Sequence, residues 1–281
     1  MRFSMRPGPD MLAEKHTADN QGQRVPLLVL RPKQQQSKAP GVLWIHGGGY
    51  ILGMKEMAYF SRAADLVNRF GAVVVSPGYR LAFQKPYPAA VEDCYAALLW
   101  LKEHVEELGI NPSQIMVGGE SAGGGLTAAL CMLARDRGKV AIAFQMPLYP
   151  MIDNLDTESS RENHGRVWNT RRNHFGWRMY LRKQAKSDKV SPYAAAARQT
   201  DYSNLPPCYT FVCTGEPFYA ETLAFVEKLK SAGVQTEVDI YSGNTHAFDM
   251  MKPDEEPGKS AIAGFLERFA WAKEHCFREQ P

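Results

Sequence analysis

The sequence predicts an α/β fold, a mostly parallel central sheet flanked by helices, with a helical insert at about residues 151–200. Short apolar runs rich in β-branched residues, several ending in Gly or Pro, recur along the 281-residue chain. Amphipathic stretches of helical length separate them, which is the alternation a parallel sheet requires. Residues 151–200 break that rhythm without offering a strand.

Taken in order, VPLLVL at 25–30 reads as an outer strand, where Pro26 suits a sheet edge because it has no N–H to give to a ladder. QQQSK at 34–38 reads as a loop, and VLWI at 42–45 as the first core strand. A helix over 59–70 leads to the strand AVVVS at 72–76, and a helix over 89–108 leads to IMVG at 115–118. A helix over 124–137 precedes AIAFQM at 141–146. YTFVC at 209–213, a helix over 220–232, VDIY at 238–241 and a last helix over 258–275 complete the series. Within the insert, residues 161–189 carry nine Lys/Arg against two Asp/Glu. Charge runs usually face water, so this reads as the solvated face of a helical lid; a basic patch for an anionic substrate is the second reading. Residues 1–281 read as one domain.

Composition narrows the function classes. Apolar residues at 44% and charged residues at 22% are ordinary for a globular protein. A net charge of +3, from 33 basic and 30 acidic side chains, is too balanced to point to nucleic acid or a membrane surface. The five cysteines (Cys94, Cys131, Cys208, Cys213 and Cys276) form no CxxC pair and no Cys/His cluster with zinc spacing. Scattered free thiols fit a reducing compartment, and the first ten residues contain no apolar h-region, so a cytoplasmic location is expected. No P-loop or GxGxxG fingerprint occurs. The expectation is a chain without cofactor or metal, whose partner is a small molecule; a homodimer is compatible with the sequence.

Two glycine motifs carry the chemistry. Gly119-Glu120-Ser121-Ala122-Gly123 fits G-x-S-x-G between a predicted strand and a predicted helix. There a sharp turn lifts the serine above the sheet, and small neighbours are needed because the backbones come close. Earlier, His46-Gly47-Gly48-Gly49 follows the strand VLWI; a backbone without side chains can aim successive N–H groups at an oxyanion.

With these motifs the chain resembles the hormone-sensitive-lipase-like family of α/β-hydrolases, in particular its bacterial esterases. HGGGY (46–50), PGYRLA (77–82), GESAGG (119–124), SPYAAAAR (191–198) and THAFD (245–249) stand in that family's order. The resemblance covers the chain from about residue 25 onward and implies hydrolysis of short-chain carboxylic esters without a cofactor. It implies Ser121 as nucleophile, and an oxyanion hole from the N–H groups of Gly48, Gly49 and Ala122, with Gly47 beside them. His46 looks like a positioning residue.

The fold orders its triad as serine, acid, histidine. His16 precedes the core, His46 belongs to the glycine loop, His104 sits in a helical stretch with charged neighbours, His164 and His174 fall in the basic insert, and His275 lies in the last helix. His246 alone occupies the loop between the last strand and the last helix, so it is the expected general base. The acid belongs after YTFVC, where Glu216 stands before Pro217 at a position the family more often fills with Asp. Glutamate suffices chemically, although its extra methylene requires a retracted backbone. Asp239, Asp249 and Glu221 are rivals.

Glu120 reads equally as a partner that holds the turn or as a neutral filler. Tyr79 and Arg80 read either as braces for the site or as plain turn residues. Of Tyr50, Tyr149, Trp168 and Phe218, Tyr50 and Trp168 are the expected substrate-binding aromatics. Two other functions fit the sequence: a catalytically silent small-molecule receptor on the same fold, and an amidase or peptidase.

Overall fold

The computed structural model describes residues 6–34 and 38–281. Its eight strands are β1 (Met11–Asn20), β2 (Gln23–Pro32), β3 (Ala39–Ile45), β4 (Val73–Pro77), β5 (Ile110–Glu120), β6 (Phe144–Leu148), β7 (Cys208–Cys213) and β8 (Thr236–Tyr241). They form one sheet in the order β1-β2-β4-β3-β5-β6-β7-β8. β1, β2 and β4 pair antiparallel, and every remaining pair is parallel. This is the α/β-hydrolase architecture.

The near-continuous apolar strands reflect burial on both faces. Leu27, Val29, Leu43, Ile45, Val73, Val75, Ile115 and Val117 face one core, under helices α2 (Ala89–Glu103) and α3 (Ala122–Arg137). Leu28, Leu30, Val42, Trp44, Val74, Met116 and Phe211 face the other, under α1 (Arg62–Phe70) and the final helix (Gly258–His275). Successive side chains alternate between the two because a strand has a period of two. Within the insert, α4 (Thr170–Leu181) and two short 3-10 turns form, with no strand among the described residues of 151–200. Beyond it lie α5 (Tyr219–Ser231) and the one-turn α6 (Phe248–Met251), so the final helix is α7.

Several boundaries differ from the sequence expectation. β1 was not foreseen: its residues MLAEKHTADN bury only Met11 and Ala18, so the hydrophobic signal is weak. Its hairpin turn uses Gln21 and Gly22, both at positive φ (53° and 86°), as a tight two-residue turn demands. Because β1 lies outside it, β2 is an interior strand and Pro26 does not sit at a sheet edge. Proline is tolerated because β2–β4 pairing runs only from Leu27 to Leu30, while Pro26 still accepts from the Gly78 N–H at 2.8 Å. β6 starts at Phe144 instead of residue 141, and α1 starts at Arg62 after Ser61 caps it by accepting the Ala63 N–H at 3.2 Å. The helix expected to 108 ends at Glu103. The loop expected at 34–38 falls partly outside the described residues.

Candidate active site

All four site segments leave the sheet at the carboxyl ends of parallel strands. β3 runs into His46–Gly49, β5 into Ser121, β7 into the turn bearing Glu216, and β8 into the loop bearing His246. Ligands of open parallel sheets gather at this edge.

At Ser121 the backbone adopts φ 58° and ψ −119°, sterically costly for a residue with a Cβ. The neighbours hold it there. Its N–H donates to Leu148 O at 3.0 Å, and its carbonyl accepts from Met151 N (3.0 Å) and Gly125 N (2.9 Å). Gly119 and Gly123 must be glycine: a Cβ would lie 2.5 Å and 2.0 Å, respectively, from the Ile45 carbonyl oxygen. The turn delivers the serine hydroxyl to the start of α3, whose first turn carries no acidic residue to offset its positive end.

His246 Nε2 lies 2.8 Å from Ser121 Oγ, and His246 Nδ1 lies 2.5 Å from Glu216 Oε2. With Nδ1–H donating to the carboxylate, Nε2 carries the lone pair that faces the hydroxyl. Glu216 is fully buried; its other oxygen accepts the Cys213 N–H at 2.9 Å. That fold-back onto its own loop takes up the extra methylene. Burial pushes the Glu216 carboxyl above its ordinary range, opposed by the imidazole and the Cys213 N–H. Tyr149 and Phe218 clamp the imidazole edge-on, at centroid distances of 5.1 and 4.9 Å. Both were candidates for pocket lining, and the structure uses them to hold the ring.

The rival carboxylates are engaged elsewhere. Asp239 accepts from Tyr209 OH at 2.7 Å, and Glu221 accepts the N–H groups of Ile152 and Asp153 at 2.7 and 3.1 Å. Asp249 accepts from Tyr149 OH at 2.8 Å and lies 3.2 Å from Arg62 Nε.

The N–H groups of Gly48 and Gly49 in the glycine loop, and of Ala122 at the start of α3, donate to no protein acceptor among the described residues. Gly48 has φ 115°, and a Cβ there would lie 2.2 Å from Leu52 O. Gly47 packs directly against the serine turn, 2.8 Å from Glu120 O measured from where its Cβ would stand. His46 Nδ1–H donates to Gly47 O at 2.8 Å, and its ring stacks on Tyr79 at 4.3 Å. Tyr79 OH in turn donates to His46 O at 3.0 Å. Burial holds the His46 imidazole down at about 4, so it is neutral at physiological pH. Arg80 braces this region from outside, its guanidinium bonding both oxygens of Asp93 at 2.7 and 2.8 Å.

Glu120 is buried and accepts Trp44 Nε1–H at 2.8 Å, which ties β5 to β3 beneath the turn. The two aromatic expectations part ways. Trp168 lies on the glycine loop: a Cβ at Gly49 would be 2.1 Å from its ring. Tyr50 faces the core, 2% exposed, stacked on Tyr180 at 4.2 Å with its hydroxyl donated to Met151 O. Its hydroxyl is therefore committed to the protein. Among the described residues no three His, Cys, Asp or Glu side chains are grouped to hold a metal, and no helix is long and apolar enough to cross a membrane.

Residues 42–250 match the family described as having the α/β-hydrolase fold. The chain belongs to the α/β-hydrolase family. It is 33% identical to the carboxylesterase NlhH of Mycobacterium tuberculosis over 85% of its own length and 76% of the relative's. It is 28% identical to the ethyl acetate hydrolase of Pseudomonas putida, over 86% and 77% of the two chains. Among solved structures, a bacterial heroin esterase superposes with a TM-score of 0.90 at 32% identity, covering 99% of this chain and 87% of that one. In α/β-hydrolase terms the present chain has its serine turn after β5 and its histidine after β8.

Proposed function

We propose that this α/β-hydrolase cleaves carboxylic esters with short acyl groups, with Ser121 as nucleophile, His246 as general base and Glu216 as the acid that orients the imidazole. The observation that carries the reading is the continuous chain of contacts from Glu216 Oε2 through the imidazole to Ser121 Oγ, at 2.5 and 2.8 Å. The relatives named carboxylesterase and ethyl acetate hydrolase support ester hydrolysis, and the second supports a small acyl group. The ring of Trp168 against Gly49 supports the same limit, because it narrows the space over the glycine loop. In this reading, residues 151–200 act as the lid of a single domain, and five buried, unpaired thiols support a cytoplasmic workplace.

His246 Nε2 takes the Ser121 proton as Oγ attacks the ester carbonyl. The N–H groups of Gly48, Gly49 and Ala122 receive the oxyanion, and the start of α3 adds favourable potential. The alcohol leaves with the proton held on His246. Water, deprotonated by the same nitrogen, then releases the acid from Ser121.

The test is hydrolysis of p-nitrophenyl esters from acetate to palmitate, by the native chain and by Ser121→Ala. Acetate or butyrate should turn over fastest, and the variant should lose about three or more orders of magnitude in kcat. A fluorophosphonate should label the native chain and spare the variant. Undiminished hydrolysis by Ser121→Ala would remove the nucleophile assignment, and a preference for palmitate would remove the short-acyl reading.

A further inference from the structure

The turn that carries Glu216 is held from outside itself. Gly215 O accepts Asn163 Nδ2–H at 3.1 Å, Glu216 O accepts the Tyr219 N–H at 3.3 Å, and Pro217 O accepts the Ser159 hydroxyl at 2.8 Å. Two of these three donors are side chains of the insert, 52 and 58 residues away in sequence.

Both side chains are committed to the task. The Ser159 oxygen also accepts the Ala220 N–H at 2.9 Å. Helix α5 begins at Tyr219, and Phe218 before it makes no side-chain cap. An N-cap side chain ordinarily accepts the second or third N–H of its own helix; for α5 that acceptor comes from the insert. Asn163 Oδ1 accepts the Gly165 N–H at 2.9 Å, which turns Nδ2 toward Gly215 O and toward Ser159 O at 3.2 Å. Glu216 has little freedom to follow a displaced turn. Fully buried, it spends one oxygen on the Cys213 N–H and the other on the imidazole.

The same segment is seated on the glycine loop through α4. Thr170 Oγ1, at the head of that helix, donates to Ser160 O at 2.6 Å and accepts the Asn163 N–H at 2.8 Å. Further along it, a Cβ at Gly176 would lie 2.8 Å from Gly49 O.

We propose that Ser159 and Asn163 are positioning residues of the triad: through them the insert fixes the Glu216 turn at the depth from which its carboxylate meets His246. The inference rests on Glu216 being the acid of the proposed ester hydrolase. A lid that only covers the substrate contributes to binding, and its loss raises KM. An acid out of line lowers kcat instead, and a misplacement of about 1 Å can cost about a hundredfold.

The test is steady-state hydrolysis of p-nitrophenyl acetate by Ser159→Ala, Asn163→Ala, Glu216→Gln and the double variants S159A/E216Q and N163A/E216Q, with thermal melting to report which are folded. Ser159→Ala should lower kcat by about tenfold, with KM within about twofold of native. Asn163→Ala should lower it by about threefold, since Gly215 is exposed and water can replace the amide. In the Glu216→Gln background the same substitutions should change kcat by less than about twofold, because no carboxylate is left to align. Equal losses with and without the carboxylate would overturn the proposal, as would a raised KM at native kcat. Native kcat in Glu216→Gln would remove the acid assignment and the inference with it. A loss there, beside native kcat in whichever of Ser159→Ala and Asn163→Ala is folded, would remove the inference alone.

Discussion

Replacing Glu120 by Gln should make the protein more stable near neutral pH and leave it little changed in mild acid. Glu120 is 3% exposed beneath the serine turn, and burial pushes its carboxyl from 4.5 up to about 8. The Trp44 N–H pulls in the opposite direction and Asp249 adds to the rise. A carboxyl whose value is raised on folding stabilises the fold below its unfolded value and loses that contribution as pH rises through the folded one. The window is therefore about pH 4.5 to 8. Between about pH 5 and pH 7 the unfolded carboxyl ionises while the buried one stays protonated. At about 1.4 kcal/mol per unit, the wild type loses roughly 2.5 kcal/mol over that span. Gln keeps the acceptor for Trp44 Nε1 and has no proton to lose. Urea unfolding of both proteins at the two pH values measures the difference, as a relative midpoint shift of about 0.5–1 M. A gap between variant and wild type that stays constant from pH 5 to 7 would show that Glu120 is ionised inside the fold, and the reasoning would fail.

Other substitutions probe the remaining parts. His46→Asn should keep the donor to Gly47 O but remove a titration: native His46 resists protonation down to about 4, so the wild type loses up to about 3 kcal/mol as pH falls from 6.5 to 4. Unfolding midpoints across that range should diverge, with the Asn protein holding its stability better in acid. Gly123→Ala places a methyl group 2.0 Å from the Ile45 carbonyl oxygen. It should cost several kcal/mol, roughly 3 or more, seen as a large fall in melting temperature. Glu216→Gln should reduce kcat on p-nitrophenyl acetate less than His246→Ala does, since the imidazole stays clamped by Tyr149 and Phe218. The opposite ranking would point to a different carboxylate.

How much of this was legible beforehand depends on distance along the chain. The interior strands announce themselves because burial on both faces demands unbroken apolar runs, as in VLWI and AVVVS. β1 does not, since eight of its ten residues keep some contact with solvent. Ser121, His246 and Glu216 could be named because each follows a strand at a fixed place in the motif order. What holds them could not. Tyr149 bonds Asp249 across 100 residues, and Trp44 reaches Glu120 across 76. No local pattern encodes such meetings; only the closed sheet creates them. Tyr50 shows the converse: adjacent to the glycine loop in sequence, it turns inward because its backbone φ of 64° carries the ring toward Tyr180.

One consequence lies in where the histidine is hung. β8 is an edge strand and has only β7 for company, whereas the serine rides on β5 with a neighbour on each side. The hydroxyl and the imidazole therefore belong to regions of unequal tenacity. Fraying at the sheet margin would draw the imidazole away from the hydroxyl while the centre remained whole. Such a molecule would fall silent before it came apart, with its competence resting on a rib held from one side alone.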